Sequence, residues 1–304
     1  MKKSIVLIGG GHGLSNLIKG FKDKELDLNI IVSATDDGGH SGILREEFGC
    51  FALGDLRMVL SELVNNSLFK DLLDYRFERL HGQENVSLGN LILLSLLEKY
   101  HNIDEVIGYI KDNNKIDSNV FLSCNNSLVL CAKCGGETIM HEREIGVSNK
   151  SVDSLFVNES AVCDDVMLEK IKSADIIVLS PGSLYTSVGA VLCIECIKEA
   201  ILNSKAELVY VCNIMQQDGE TLNYSVKDHV DVLESILGKN IDRVIVNNGS
   251  INEDVLEKYR EENSAVVKCN DVNDNYEFYN IVKIIDGKIR HDSELVKKII
   301  FNQQ

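Results

Sequence analysis

Apolar positions along the chain alternate between two regimes: short unbroken runs, and the three-and-four spacing of an amphipathic helix. The runs are Ile5–Ile8, Asn29–Ser33, Ile176–Leu179, Leu208–Cys212 and Arg243–Val246. Each is rich in Ile and Val with little alternation, the pattern of strands covered on both faces of a parallel sheet. Helical spacing fills Leu14–Phe21, Leu56–Asn66, Leu88–Tyr100, Asp104–Lys111, Val166–Lys172, Gly189–Leu202, Val226–Leu237 and Asn252–Glu262. Strand–helix–strand alternation of this kind predicts an α/β protein with a doubly wound, mainly parallel sheet. The stretch 119–157 departs from it. Val120–Ser123, Leu128–Ala132 and Thr138–His141 are short strand-like pieces around Gly135-Gly136, expected to form a small antiparallel β insertion. Glu277–Ile284 reads as a last strand, and Asp292–Phe301 as a closing helix with Asp292 as its N-cap. With no repeat and no low-complexity linker, residues 1–304 are expected to form one domain carrying that insertion.

Composition narrows the functions. The chain has 304 residues, 44% hydrophobic and 26% charged, enough to bury a sizeable core. Its net charge is −16 and no run of Lys or Arg exceeds two residues, which argues against nucleic acid and anionic membranes as partners. No apolar run approaches the roughly 18 residues of a membrane span. The opening segment is too short for a signal peptide and reads as a first strand, so a cytoplasmic location is expected. Nine cysteines, an odd number, fit a reducing compartment. Cys131/Cys134 and Cys193/Cys196 have the spacing of a four-thiolate zinc site. The second pair lies within an apolar helical stretch, however, and we read these cysteines as small core residues.

In an open parallel sheet, ligands bind beyond the carboxyl ends of the strands. Every predicted strand is followed there by polar or glycine-rich sequence: Gly9-Gly10-Gly11-His12-Gly13, then Thr35-Asp36-Asp37-Gly38-Gly39, then Ser180-Pro181-Gly182-Ser183, then Asn213 to Gln217, then Asn247-Asn248. Ordinary turn chemistry does not explain five such segments on one edge. The first leads into a helix and suits an anion at that helix's N-terminus. It is neither G-x-G-x-x-G, since Asn16 stands where a glycine is needed, nor a P-loop; the plain alternative is a tight turn. Asp36 and Asp37 suit Mg²⁺, ribose hydroxyls or general-base work, or a solvated Asx-turn. Asp55 reads as an N-cap or a site residue, with Arg45 and Arg57 as phosphate clamps or neutralising partners. Gly89 and Asn90 weaken the first turn of their helix, which points to a ligand contact or to local packing. Pro181 stiffens the turn that leads to Ser183, Tyr185, Thr186 and Ser187, where hydroxyls at a second helix start make a second candidate anion site.

Together, Gly9 to Ser15, Asp36 to Arg45, Gly54-Asp55-Leu56-Arg57, Ser87 to Leu91, Gly182 to Ser187, Cys212 to Thr221, Asp228-His229-Val230 and Gly287 to Asp292 resemble the gluconeogenesis factor family. That family sits within a wider group similar to 2-phospho-L-lactate transferase. The resemblance spans nearly the whole chain in order. It implies a Rossmann-like three-layer fold and a cytoplasmic bacterial protein that binds a UDP-sugar such as UDP-N-acetylglucosamine and regulates cell shape and growth on gluconeogenic carbon sources. A homo-oligomer, a dimer in the first instance, is also expected. The resemblance also makes Tyr259 and Arg290 candidates for the nucleotide-sugar end, with Gly54, Arg57, Asn90, Asn213 and Gln216 in the ligand-binding set. His12 and His40 depart from the small hydroxyl residues expected there, Ala52-Leu53 replaces a proline-rich approach, and Val86 replaces a histidine.

Two readings follow. In one, the chain is a binding and regulatory protein without catalysis. In the other, it is a Mg²⁺-dependent transferase of a phosphoryl-linked group, with Asp36 and Asp37 at the metal. A nicotinamide-dependent oxidoreductase is set aside, because the glycine spacing fails.

Overall fold

The computed structural model describes residues 2–80 and 82–302. Seven strands make one parallel sheet: β1 (Lys3–Gly9), β2 (Leu26–Val32), β3 (Asn119–Leu122), β4 (Ile176–Leu179), β5 (Glu207–Val211), β6 (Arg243–Asn247) and β7 (Tyr276–Tyr279). Their order is β7-β6-β5-β4-β1-β2-β3. The chain winds outward from β1 through β2 to β3, then returns to β4 on the other side of β1 and winds outward again. Register is continuous across the centre, with Leu7 opposite Ile30 on one side and Val178 on the other.

Strand side chains point alternately to the two faces. Ile5 and Leu7 therefore enter one core with Leu14, Leu17 and Phe21 of α1 (Gly11–Phe21) and Leu56 and Leu60 of α3 (Leu53–Leu63), the latter following α2 (Gly39–Phe48). Val6 and Ile8 enter the opposite core with Met167, Ile197, Leu233 and Tyr210. Helices cover both faces, which is why the strands carry apolar runs without alternation. The doubly wound, three-layer α/β architecture expected from the sequence is the one observed. Among the described residues no helix is long and apolar enough to cross a membrane.

Several expectations are corrected. Val120–Ser123 is not part of the antiparallel piece: Asn119–Leu122 is the edge strand of the main sheet, pairing parallel with β2. Periodicity reports that a segment is a strand but not which strand it joins. The small antiparallel sheet comprises Leu130–Cys134 flanked by Glu137–Met140 and Ser154–Val157. Helix α3 starts at Leu53, so Asp55 lies inside its first turn, and Ala52 takes the cap position. The expected helix Gly189–Leu202 is broken into a π-turn over Leu184–Gly189, a short Ala190–Leu192 and a separate Glu195–Leu202. The expected last strand divides into β7 and a hairpin, Val282–Ile285 with Lys288–His291. Cys196 is bonded to Cys163, 33 residues earlier, which corrects the all-thiol reading and takes Cys196 out of any four-thiolate set.

Leu17 is fully buried between the sheet and α3. Leu17→Ala is expected to lower unfolding free energy by about 2–5 kcal/mol in urea titration; a loss below about 1 kcal/mol would contradict the packing described.

Candidate functional site

The direction of winding reverses between β1 and β4, and the loops leaving their carboxyl ends diverge there to open a crevice. Gly10 caps α1 without contributing a side chain, and Gly11 follows in the left-handed region at φ 58°. A Cβ on Gly13 would lie 1.8 Å from the Pro181 carbonyl oxygen, so the first turn of α1 rests directly on the loop after β4. The crevice above this contact is a cavity of about 460 Å³.

That cavity brings together Gly10, Gly11, His12, Gly13, Pro181, Gly182, Ser183, Asn213, Gln216, Tyr259 and Arg290 from the expected set. Gly9, Asp36, Asp37, Gly54, Asp55, Arg57, Asn90, Tyr185 and Thr186 do not line it. Asp218, Glu262, Ile289 and His291 do, and sequence reasoning did not single them out. The floor offers the first N–H groups of α1, which have no partner within the helix. Burial, and then the positive charges of Arg290, Lys288, Arg57 and Arg76, push His12 below the usual histidine range; of these cations Arg290 lines the cavity.

The rim hairpin is pinned from three sides. Tyr259 accepts a hydrogen bond from the Ile289 N–H at 2.9 Å. Asn16 Nδ2 donates to the His291 carbonyl at 2.8 Å, and His291 Nε2 lies 2.9 Å from the Cys212 carbonyl. Burial drives His291 down to about 4, so it is neutral, and facing a carbonyl its Nε2 is the donor. These bonds fix Arg290 at the cavity edge.

Other expected ligand contacts are already spent on the protein. The Asn213 amide brackets Gly182, donating to its carbonyl at 2.7 Å and accepting from its N–H at 3.1 Å. Gln216 donates to the Tyr224 carbonyl and accepts from the Asn223 N–H. The second anion site expected at Ser183–Ser187 is filled from within. Glu220, 7% exposed, accepts from Ser183 Oγ, from the Leu184 N–H at 3.0 Å and from the Thr186 N–H at 3.2 Å. The Tyr185 hydroxyl is 2.8 Å from that of Tyr224, away from the cavity.

Asp36 and Asp37, in the loop between β2 and α2, part company. Asp37 caps helix α4 (Glu142–Gly146), accepting from the N–H groups of Glu142 at 3.1 Å and Arg143 at 2.9 Å, with His141 Nδ1 at 3.0 Å. Asp36 accepts from the Gly38 N–H at 2.9 Å and turns inward toward Asp55 and Glu142. Burial, then Asp36, pushes Asp55 up to about 7, with the Gly11 N–H pulling the other way. Burial and the same two aspartates raise Glu142, whose Oε2 is buried without a partner. Arg45 braces the carbonyls of Thr35, Asp36 and Leu128. Arg57 bonds the Leu73 carbonyl and Asp74, away from any phosphate position. Asn90 starts the helix capped by Ser87, its Nδ2 3.5 Å from Ser41 Oγ and its Oδ1 unpartnered. No group of three or more His, Cys, Asp or Glu among the described residues converges to hold a metal ion.

A doubly wound α/β protein with a glycine-floored ligand cleft at its switch point is the class these features define. The family model of 2-phospho-L-lactate transferase CofD matches residues 5–285, and the chain belongs to that family. It is 35% identical over 275 residues to the gluconeogenesis factor of Bacillus subtilis, covering 88% of this chain and 85% of that one. The gluconeogenesis factor of Listeria monocytogenes is 33% identical over 304 residues, covering 97% and 94%. A solved member of the UPF0052 family from Bacillus halodurans superposes with a TM-score of 0.93 at 32% identity, covering 98% of this chain and 99% of that one. The resemblance drawn from the motifs is therefore correct at the level of family.

An acid whose folded-state pKa is raised holds its proton where the unfolded chain has lost it. Stability then falls as pH rises from about 4 through about 7. Asp55→Asn is expected to flatten this slope in urea denaturation between pH 5 and 7.5. An unchanged slope would contradict the buried position of Asp55.

Proposed function

We propose that the chain is a non-catalytic, cytoplasmic sensor of a sugar nucleotide of the UDP-N-acetylglucosamine type, acting in cell shape and in growth on gluconeogenic carbon sources. The observation that carries the reading is that the N-terminus of α1 and Arg290 face one cavity of about 460 Å³, within the roughly 300–1,000 Å³ of small-molecule sites. In this reading the diphosphate lies over the N–H groups of His12 and Gly13, where the helix dipole favours negative charge. Arg290, held by the pinned hairpin, adds a charge-assisted contact. Asp218 and Glu262, at the same cavity, accept from sugar or ribose hydroxyls. Neutral His12 supplies a ring without adding charge. A coupling of about 1–3 kcal/mol between the cleft and a partner surface suffices for regulation.

A second reading, a transferase acting on a phosphoryl-linked group, is favoured by one observation: the inward cluster of Asp36, Asp55 and Glu142 beside the glycine loop. The donors are oxygens, as Mg²⁺ requires. Their arrangement does not fit the ion: although the three lie near one another, no three His, Cys, Asp or Glu among the described residues are placed to share one ion, and Asp37 is committed to α4. No step is derived through a metal.

Calorimetric titration with UDP-N-acetylglucosamine is expected to show one site per chain, and Arg290→Ala to weaken it at least tenfold, about 1.4 kcal/mol. Folded protein giving no heat at millimolar ligand would refute the binding reading. Divalent-metal-dependent product from a nucleotide-linked donor would replace it with the transferase.

A further inference from the structure

Cys163 and Cys196 meet across two separate connections of the main sheet, in the one bridge that the nine cysteines form. Cys163 closes the segment 158–163, which leads from the small antiparallel sheet into the helix Asp165–Ser173 and on to β4. Cys196 lies in the first turn of the helix Glu195–Leu202, on the way from β4 to β5. Their Cα atoms are 6.7 Å apart, inside the span that a disulfide bridges. The other seven cysteines are free, and five of them are buried. A secreted disulfide scaffold pairs its cysteines throughout, whereas a single bridge among free thiols is the pattern of a transient or redox-sensing bond.

Two features let this pair open and close as a unit. Both residues are half-exposed, so a small thiol reaches the bond from solvent. Cys193, three positions before Cys196, is the free thiol nearest to it in sequence. Burial pushes Cys193 up to about 12, so it carries almost no thiolate near neutral pH and does not exchange with the bridge. Once the bond is open, the Ser123 carbonyl, 3.7 Å from Cys163 Sγ, can accept from the new S–H.

The bridge also has something to hold. The Asn125 N–H donates to the Val162 carbonyl at 2.7 Å, and the Val162 N–H to Asn126 Oδ1 at 2.8 Å. Asn126 Nδ2 donates to the Ser160 carbonyl at 3.1 Å, and the Val129 N–H to Asn158 Oδ1 at 2.7 Å. Arg45 then joins the Leu128 carbonyl to the carbonyls of Thr35 and Asp36. A closed bridge therefore fastens the helix Glu195–Leu202 to a run of bonds that ends at the Asp36–Asp37 loop.

We propose that Cys163 and Cys196 form a reversible thiol switch, closed by a low-molecular-weight disulfide and opened by the matching thiol, that sets how firmly segment 158–163 is held. In opening, a small thiolate attacks one bridge sulfur, forming a mixed disulfide and releasing the other cysteine as a thiolate. A second small thiolate attacks the small-molecule sulfur of that mixed disulfide and expels the second cysteine. The two protein thiolates take up the protons that the two small thiols gave up. The protein is thus reduced by two electrons while two small thiols become one disulfide, and closing is the same sequence reversed. Neither cysteine lines the glycine cleft, so the switch stands or falls apart from the nucleotide reading.

The test equilibrates the whole chain in buffers of reduced and oxidised glutathione and follows the peptide pair linked through Cys163 and Cys196 by mass spectrometry after non-reducing digestion. The linked pair is expected to form and vanish reversibly as the glutathione ratio is varied, with Cys193→Ser leaving that titration unchanged. Reduction is expected to speed hydrogen exchange at the Asn125, Val129 and Val162 amides by about tenfold or more. Because the bridge closes a loop with a sequence separation of 33, reduction is also expected to lower Tm by roughly 5 °C or more. Cys163→Ser is expected to match the reduced protein in both readouts and to ignore oxidised glutathione; reduced wild-type protein gives the same readouts without a substitution. A bridge that millimolar reduced glutathione leaves intact, a pair that oxidised glutathione never links, or a link through Cys193 instead overturns the switch. Exchange at the three amides that reduction leaves unchanged overturns the hold on segment 158–163.

Discussion

The cleft depends on one contact without side chains: the first turn of α1 lying against the Pro181 carbonyl at Gly13. Two loops that leave neighbouring strands in diverging directions would otherwise enclose only a shallow notch. Close approach of backbone to backbone lets the start of α1 and the turn after β4 share one floor, and any side chain at position 13 would separate them. The Asn213 amide then holds Gly182 from the β5 side, so three strand ends contribute to one rigid base. What is left for a ligand is backbone N–H on the floor and Arg290 on the rim.

In the proposed reading, an acidic chain must keep its own carboxylates away from that floor. It does so by giving several of them internal employment. Glu220 occupies the hydroxyl-rich turn after Ser183, and Asp37 caps α4. Half-buried Asp36 and Glu142 crowd against buried Asp55, where desolvation and mutual repulsion favour the protonated forms. Arg290 at the cavity edge is then left with Asp218 and Glu262 as the carboxylates that share its cavity.

How far the sequence discloses this depends on the kind of interaction. The seven-strand sheet was largely legible because burial on both faces leaves unbroken Ile/Val runs. The glycine loop was legible because only glycine allows the chain to pass at Gly10 and Gly13. Pairing was not, and Asn119–Leu122 joined the main sheet although its neighbours in sequence built the small one. Polar residues misled most often. Asp37, Asn213, Gln216 and Thr186 have the chemistry of ligand contacts, yet long-range partners take up Asp37 and Asn213, the Gln216 amide is spent within its own loop, and the Thr186 N–H donates to Glu220. Asp37 reaches α4 more than a hundred positions away, a relation that no local spacing encodes. Glu220 lay within a quoted motif without being singled out, since a lone glutamate in a loop gives no sign that it will be buried.

A crystal structure of the chain with UDP-N-acetylglucosamine tests the central claim most directly. The account predicts diphosphate density over the first turn of α1, within hydrogen-bond distance of the His12 and Gly13 N–H groups and of the Arg290 guanidinium. Density for the nucleotide elsewhere on the molecule, with the cleft above Gly13 filled only by water, would contradict it.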